Sequence, residues 1–408
     1  MTDTLLRRPA FRRYWSAQTV SLFGDQVTAL AMPLLAVLAV GAGPKQMGYL
    51  TAAALLPNLF FSVPAGAWVD RCAHKRRLMI LADLGRAALL LIVPALWLTG
   101  GLTLHVLYAV AFGAGTLSVV FEVAHSSLFA SLVDRPDYLA ANSLINGSRA
   151  MSYVAGPSAG GLLVQVFTAP FALLADAVTF LASALLLKRM PITERPVRAE
   201  PHQRNGMRFV LGHPVLRAIL LGTTTLNLFN YLFAALFVLF VTTELHVRPG
   251  TLGVIVGLGA VGGLLGATVA GPVSRRLGIG RALILGLVVF PAPLILVPLA
   301  GGPRSVVLAL LFAAEFGSAL GVMLLDITAG SLQTAATPAG RLAAVAGFQR
   351  TVNYGIRPIG AMLGGTLGAA LGVRPALWIA TVGALLGVVW VIFSPVRTMH
   401  ELPAADST

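Results

Sequence analysis

What this 408-residue chain has least of is charge: Asp, Glu, Lys and Arg together make up 11% of it, against about 25% in a soluble globular domain. Only 15 residues are acidic, and only three of the 29 basic ones are Lys. Cys72 is the sole cysteine, so no disulfide can form within the chain. The seven His show no ligand spacing, and no Gly-rich loop ending in Lys-Ser/Thr is present. A metal site, a cofactor and ATP hydrolysis in this chain are therefore not expected. Nothing argues for an enzyme. No small-residue cleavage site follows the first apolar stretch, which is too long for a signal peptide.

What is present is hydrophobic sequence, 57% of the chain, with a mean hydropathy of +0.84. That suffices for about twelve spans of ~20 residues each, with no room for a large soluble domain. The apolar runs are continuous, whereas a membrane β-barrel needs alternation. The expected fold is all-α and integral to the membrane. Twelve runs lie near 14–40, 46–68, 78–99, 103–125, 142–166, 169–188, 215–241, 250–271, 281–300, 304–327, 342–370 and 375–394. The polar stretch from Lys188 to Pro214 divides them six and six. The expected domains are a six-helix bundle over 1–187, a cytoplasmic linker over 188–214, a second bundle over 215–396 and a cytoplasmic tail over 397–408.

The net charge of +14 would suggest nucleic acid in a soluble protein. Here the arginines sit in short loops, so they report topology and contact with anionic lipid, not nucleic acid. With both termini inside, the cytoplasmic ends carry Arg7, Arg8, Arg12, Arg13, Arg71, Lys75, Arg76, Arg77, the central cluster from Lys188 to Arg217, and Arg275, Arg276 and Arg281. The opposite side holds only Lys45, Arg248, Arg304 and Arg374. An ungapped shift of 205 residues then aligns Phe11–Arg76 with Leu216–Arg281, placing Arg12 on Arg217, Gly66 on Gly271, Arg71 on Arg276 and Arg76 on Arg281. Arg149 with Pro157 is echoed by Arg350 with Pro358. Two parallel six-helix repeats with substrate bound at the repeat interface form a transporter architecture.

Between the second and third spans the chain reads Gly66-Ala-Trp-Val-Asp70-Arg71-Cys-Ala73-His-Lys75-Arg76-Arg77. This resembles the signature loop of the major facilitator superfamily, with Ala73 where a second Gly is usual. A carboxylate at the membrane edge can pair with arginines and face a positive helix N-terminus. The resemblance implies that Gly66, Asp70, Arg71, Lys75 and Arg76 form a cytoplasmic latch; the other reading makes the arginines topology anchors. Gly156-Pro157-Ser-Ala-Gly160-Gly161 in the fifth span resembles the core of the superfamily's drug–proton antiporter motif, with Ser152 where a further glycine would fall. Pro157 would bend that helix and the glycines would allow close helix approach, so packing alone is an equal reading. With Phe23-Gly24-Asp25 in the first span, the chain resembles the bacterial efflux branch that includes macrolide and siderophore exporters.

A charge in mid-membrane costs roughly 2.5–3.5 kcal/mol on insertion scales, so each one is a functional candidate. Asp25 is two turns into the first span, and its repeat mate is Asn230. It is the first choice as proton or cation site, with Glu315 and Glu122 behind it; the alternative for Asp25 is a structural hydrogen bond. Glu122 and His125 share a helix face and either relay protons or meet headgroups. Arg149, Asp326, Arg350 and Arg357 are expected in buried ion pairs, Arg149 with Glu122, and Asp326 with Arg350 or Arg357. Asp83 and Arg86 are expected to pair at the inner end of the third span. Asp176, near the outer end of the sixth, ranks below Asp25 and Glu315. Asn227, Asn230 and Tyr231 are expected to line the substrate cavity with Asp25, whereas Phe229 is read as facing lipid. Gly259, Gly262, Gly263 and Gly266, and Gly360, Gly364 and Gly368, read as packing surfaces.

Together these features point to a monomeric, proton-coupled exporter of amphiphilic or cationic organic compounds, working by alternating access in a bacterial inner membrane. Transport of lysophospholipid or another amphiphile from the bilayer, and import by symport, are the alternatives.

Overall fold

In a computed structural model, residues 2–72, 74–191 and 206–402 are described, apart from the side chains of residues 2–4, Val63, Ala67, Asp70 and Ala339. The described residues are helical throughout, with no strand. The long helices are α1 (Pro9–Leu38), α2 (Pro44–Arg71), α3 (Lys75–Leu98), α4 (Leu104–Leu132), α5 (Tyr138–Phe167) and α6 (Ala169–Lys188). In the second half they are α7 (Pro214–Thr243), α8 (Pro249–Leu277), α9 (Ile279–Leu299), α10 (Arg304–Ala335), α11 (Leu342–Leu371) and α12 (Val373–Ile392). Among the described residues, nine of these, α1, α3, α4, α6–α10 and α12, are long and apolar enough to cross a membrane by length and composition. Helix α2 carries the Gly66–Arg71 stretch, α5 the Arg149–Pro157 pair and α11 the Arg350–Pro358 pair. Of the expected linker, residues 192–205 lie outside the described residues, and Gly206–Gly212 is a short helix.

The chain forms two compact units. One contains α1, α3–α6, most of α2 and the segment Arg248–Gly257 at the start of α8. Within it α1 packs on α5 and α6, and α3 packs on α4 and α6. The other contains α7, α9–α12, the rest of α8 and the segment Gly43–Ala52 at the start of α2. Within it α7 packs on α11 and α12, and α10 on α8 and α9. In both, the first helix packs on the fifth and sixth and the third packs on the fourth, as the internal repeat requires.

Small residues set the helix spacing, because lipid offers no hydrophobic gain for burying a side chain between helices. A Cβ on Gly262 would lie 2.1 Å from the Phe316 carbonyl oxygen, and one on Gly364 2.5 Å from that of Leu232. In the first unit, a Cβ on Gly156 would lie 2.4 Å from Gln26 Cβ, and one on Gly161 2.4 Å from the Pro249 carbonyl oxygen. Helix α5 runs unbroken through Pro157.

The α5–α6 and α11–α12 connections are single residues of one conformation: Thr168 at φ 73, ψ 158 and Gly372 at φ 93, ψ 157. The carbonyl of each accepts the first amide of the following helix, from Ala172 and Ala376. Glycine adopts this backbone freely, whereas threonine is strained there by about 1–3 kcal/mol. Thr168→Gly is expected to stabilise the protein by about 1 kcal/mol after glycine's own entropy cost, read as a rise in thermal midpoint in detergent. An unchanged or lower midpoint would show that the Thr168 turn carries no strain.

Candidate functional site

The first unit contains a polar cluster sealed between helices, and its centre is Arg86. Eleven residues from the start of α3, Arg86 lies about 16 Å along the helix axis, near mid-span. It is 2% exposed. Nη2 donates to Asp83 Oδ1, one turn away on the same helix, and lies 3.4 Å from Ser21 Oγ. Nη1 lies 3.4 Å from both Asp25 Oδ1 and Ser118 Oγ. The guanidinium carbon sits 4.0 Å from the Phe180 ring centroid and 4.6 Å from that of Phe121. Four helices thus supply one cation's surroundings: α1 with Ser21 and Asp25, α3 with Asp83, α4 with Ser118 and Phe121, α6 with Phe180. The aromatic faces stabilise the charge where the ring leaves no room for water.

Carboxylates outnumber this cation. Asp83 is fully buried, but the Asp25 side chain keeps 39% of its surface open. Asp176, from α6, is 1% exposed and lies beside Thr28, Thr179 and Asp25. Glu122, exposed on α4, stands within electrostatic reach of Asp25. With Asp25, Asp83 and Asp176 all ionised, the cluster would carry two uncompensated negative charges. Burying such charges costs several kcal/mol each. The arrangement can therefore hold protons, and Asp25 is the member of the three whose side chain keeps accessible surface.

Several expectations are corrected by this geometry. Asp176 is no peripheral residue, because α6 packs against both α1 and α3. Asp83 and Arg86 do pair, but at mid-span instead of the inner end. Arg149, Asp326 and Arg350 are exposed and Arg357 is only partly covered, so the term buried ion pair fits Arg86–Asp83 instead. Asp326 is within electrostatic reach of Arg357. The Arg357 guanidinium packs over Tyr354 at 3.9 Å and Tyr231 at 5.0 Å. Phe229 does not face lipid: its ring occupies the place where a Cβ on Gly383 would stand. Asn227 donates to Asn353 Oδ1 at 3.1 Å, tying α7 to α11. Asn230 lines a small cavity in the second unit with Phe290 and Thr381. Glu315, half-buried opposite Gly259, makes no hydrogen bond or ion pair with a described residue. His125 stacks on Tyr14 at 5.2 Å, and its carbonyl accepts the Tyr14 hydroxyl.

Two of the residues expected to latch the cytoplasmic side make hydrogen bonds in the first unit. Lys75 Nζ donates to the Val69 carbonyl in the last turn of α2, and Arg76 Nη1 to the Met190 carbonyl just beyond α6, at 2.6 Å. Cations at helix C-termini satisfy carbonyls that the helix leaves free. Arg71 is exposed, Gly66 has open space around its Cβ position, and the Asp70 side chain lies outside the described residues. Sequence reasoning missed the meeting of Asp25 with Arg86 and Asp176. The available signals were Asp83 and Arg86 at helical spacing and a carboxylate in each of two further apolar spans.

Comparison with known proteins places this geometry in context. Residues 3–408 match the family described as transmembrane secretion effector. The multidrug efflux pump Tap of Mycobacterium tuberculosis (strain ATCC 25618 / H37Rv) is 27% identical over 421 residues, covering 98% of this chain and 97% of that one. The class G tetracycline resistance protein of Vibrio anguillarum is 28% identical over 398 residues, covering 89% of each. In fold, the chain is similar to a bacterial homologue of the iron transporter ferroportin in its inward-facing state, with a TM-score of 0.78, 16% identity and coverage of 95% and 98%. The fold is that of the major facilitator transporters.

Removing the cation alone should be costly. Arg86→Leu is expected to lose about 3–5 kcal/mol, because Asp83 is left buried without a partner. The double variant Arg86→Leu/Asp83→Asn should recover part of that loss in thermal midpoint. If the double variant melts no higher than the single one, the buried charge is not what the arginine compensates.

Proposed function

The chain belongs to the transmembrane secretion effector family, and on that premise we propose that it exports amphiphilic or cationic organic compounds, drugs among them, in exchange for protons. The single observation that carries the proton reading is the carboxylate excess around Arg86, with the Asp25 side chain partly accessible and its partners sealed. When Asp25 is ionised it attracts a cationic substrate or a proton, and binding one disfavours the other. Each proton moving inward supplies about 2.3 kcal/mol per 100 mV of membrane potential. Glu122, on the exposed face of α4, and the unpaired Glu315 in the second unit are the further carboxylates a cationic group would meet. Tyr231, with Tyr354, offers an aromatic face. The relatives' names, a multidrug efflux pump and a tetracycline resistance protein, support export of organic compounds. The arginine-rich ends of α1, α3 and α7 support a plasma-membrane topology with both termini cytoplasmic. The protein is taken to work as a monomer, with lipid contacting its outer helix faces.

Ethidium efflux from cells tests the reading. Wild-type efflux should stop when the proton gradient is collapsed, and Asp25→Asn should slow uphill efflux by about tenfold or more, or ≥ 1.4 kcal/mol on the barrier. Wild-type rates from well-expressed Asp25→Asn would remove Asp25 from the coupling path.

A further inference from the structure

Asp176 has a role the efflux reading does not use. Its Oδ2 is buried and makes no hydrogen bond with a described residue. Its Oδ1 lies 2.8 Å from Thr179 Oγ1, which lies equally 2.8 Å from the backbone carbonyl of Asp176. A threonine hydroxyl has one proton to give. If it serves the carbonyl, as in many helices, the second short contact needs a proton on the carboxyl. An ionised carboxylate here would have only two threonine hydroxyls to stabilise it, Thr28 and a Thr179 shared with the backbone, and no cation of its own, in a sealed place next to a second carboxylate.

The groups facing Asp176 come from every helix packed on α6. From α1 comes Asp25, and Thr28 beside it. From α3 comes Arg86, already held by Asp83 and in contact with Asp25. Helix α5 carries Arg149 as its one charged residue, eleven residues further from the Thr168 turn than Asp176, or about 16 Å along the axis. The approach to Asp25 is close because Gly24 precedes it. A Cβ on Gly24 would lie 2.0 Å from Asp176 Oδ1 and 1.9 Å from Thr179 Oγ1. The missing side chain at Gly24 is what lets the Asp176 carboxyl rest against the backbone of α1.

We propose that Asp176 is the proton-holding partner of Asp25, so that the coupling group is a pair: a sealed carboxyl on α6 that exchanges its proton with a partly accessible carboxylate on α1. In the transfer the Asp176 O–H bond breaks and an O–H bond forms on Asp25, which then releases the proton to water; loading runs in reverse. Arg86 stays charged throughout and holds Asp83 and Asp25 in place. This inference rests on the proton-exchange reading above.

Two measurements on the full-length protein separate the claims. Infrared spectra of purified wild type at neutral pH, in water and in heavy water, should contain the C=O stretch of a protonated carboxyl. That intensity should fall in Asp176→Asn and persist in Asp25→Asn. Thr179→Val, which keeps shape but removes the hydroxyl, should shift the band. In vesicles of phosphatidylethanolamine and phosphatidylglycerol, an imposed pH gradient should drive wild type to accumulate ethidium. Asp176→Asn should lose that accumulation while retaining ethidium exchange without a gradient. An infrared band unchanged in Asp176→Asn overturns the assignment of the proton. A lost band with undiminished accumulation overturns the relay and leaves a static buried acid. Failure of the pH gradient to drive ethidium accumulation by wild type that still exchanges ethidium sinks proton exchange itself, and with it the relay, whatever the infrared band shows.

Discussion

A guanidinium enclosed by helices in a membrane cannot lose its proton and cannot reach water, so everything near it must be arranged to accept its charge. Arg86 imposes that condition on the first unit. Its requirement for acceptors explains the serines at 21 and 118 in otherwise apolar helix stretches, and its flat faces explain Phe121 and Phe180 on either side. Satisfying one arginine takes side chains from four helices, which fixes the rotation of each about its own axis. Asp83 is near enough for direct pairing, whereas Asp25 holds a longer contact of 3.4 Å and keeps part of its surface open. That difference leaves Asp83 sealed against the arginine and Asp25 partly exposed beside it.

The second unit shows what the same scaffold looks like without this constraint. At the 205-residue shift Asp25 falls on Asn230 and Arg86 on Pro291, and the matched turns at Thr168 and Gly372 put Asp176 opposite Ala380. Asn230, Pro291 and Ala380 all line the small cavity between α7, α9 and α12. The niche persists, but its ions are gone. Helix α3 runs unbroken through Arg86, whereas α9 is interrupted around Pro291, where no proline amide can continue the ladder. At this niche the two copies of one fold differ, the first holding an arginine among carboxylates and the second an uncharged lining.

Much of the fold was legible in the sequence because bilayer thickness leaves few options for long apolar runs. Helix ends were less so: α10 extends to Ala335, beyond the expected 304–327, because its last turns are amphipathic instead of wholly apolar. The Asp83–Arg86 pair was readable, since it rests on local helical spacing. The convergence of Asp25, Arg86 and Asp176 was not, because contacts between residues 61 and more positions apart depend on which faces three helices turn inward. Asp176 was ranked low because it lies toward the outer end of a span expected at the bundle's periphery, whereas α6 packs on both α1 and α3; Arg149, Asp326 and Arg350, expected buried, are exposed. Phe229 was misread because an aromatic residue looks identical in sequence whether it meets lipid or fills the gap over a glycine.

Helices α5 and α11 share a feature that bears on how the chain enters a membrane during synthesis. Each is followed at once by a strongly apolar one. Only Thr168 separates α5 from α6, and only Gly372 separates α11 from α12. Alone, α5 and α11 would partition less well, since their prolines, glycines and arginines offset their hydrophobic residues. Joined by so short a tether, each must enter as half of a helical hairpin, carried by its neighbour's favourable transfer. The Arg149–Pro157 and Arg350–Pro358 pairs are thereby housed in helices whose insertion is underwritten by the helix that follows.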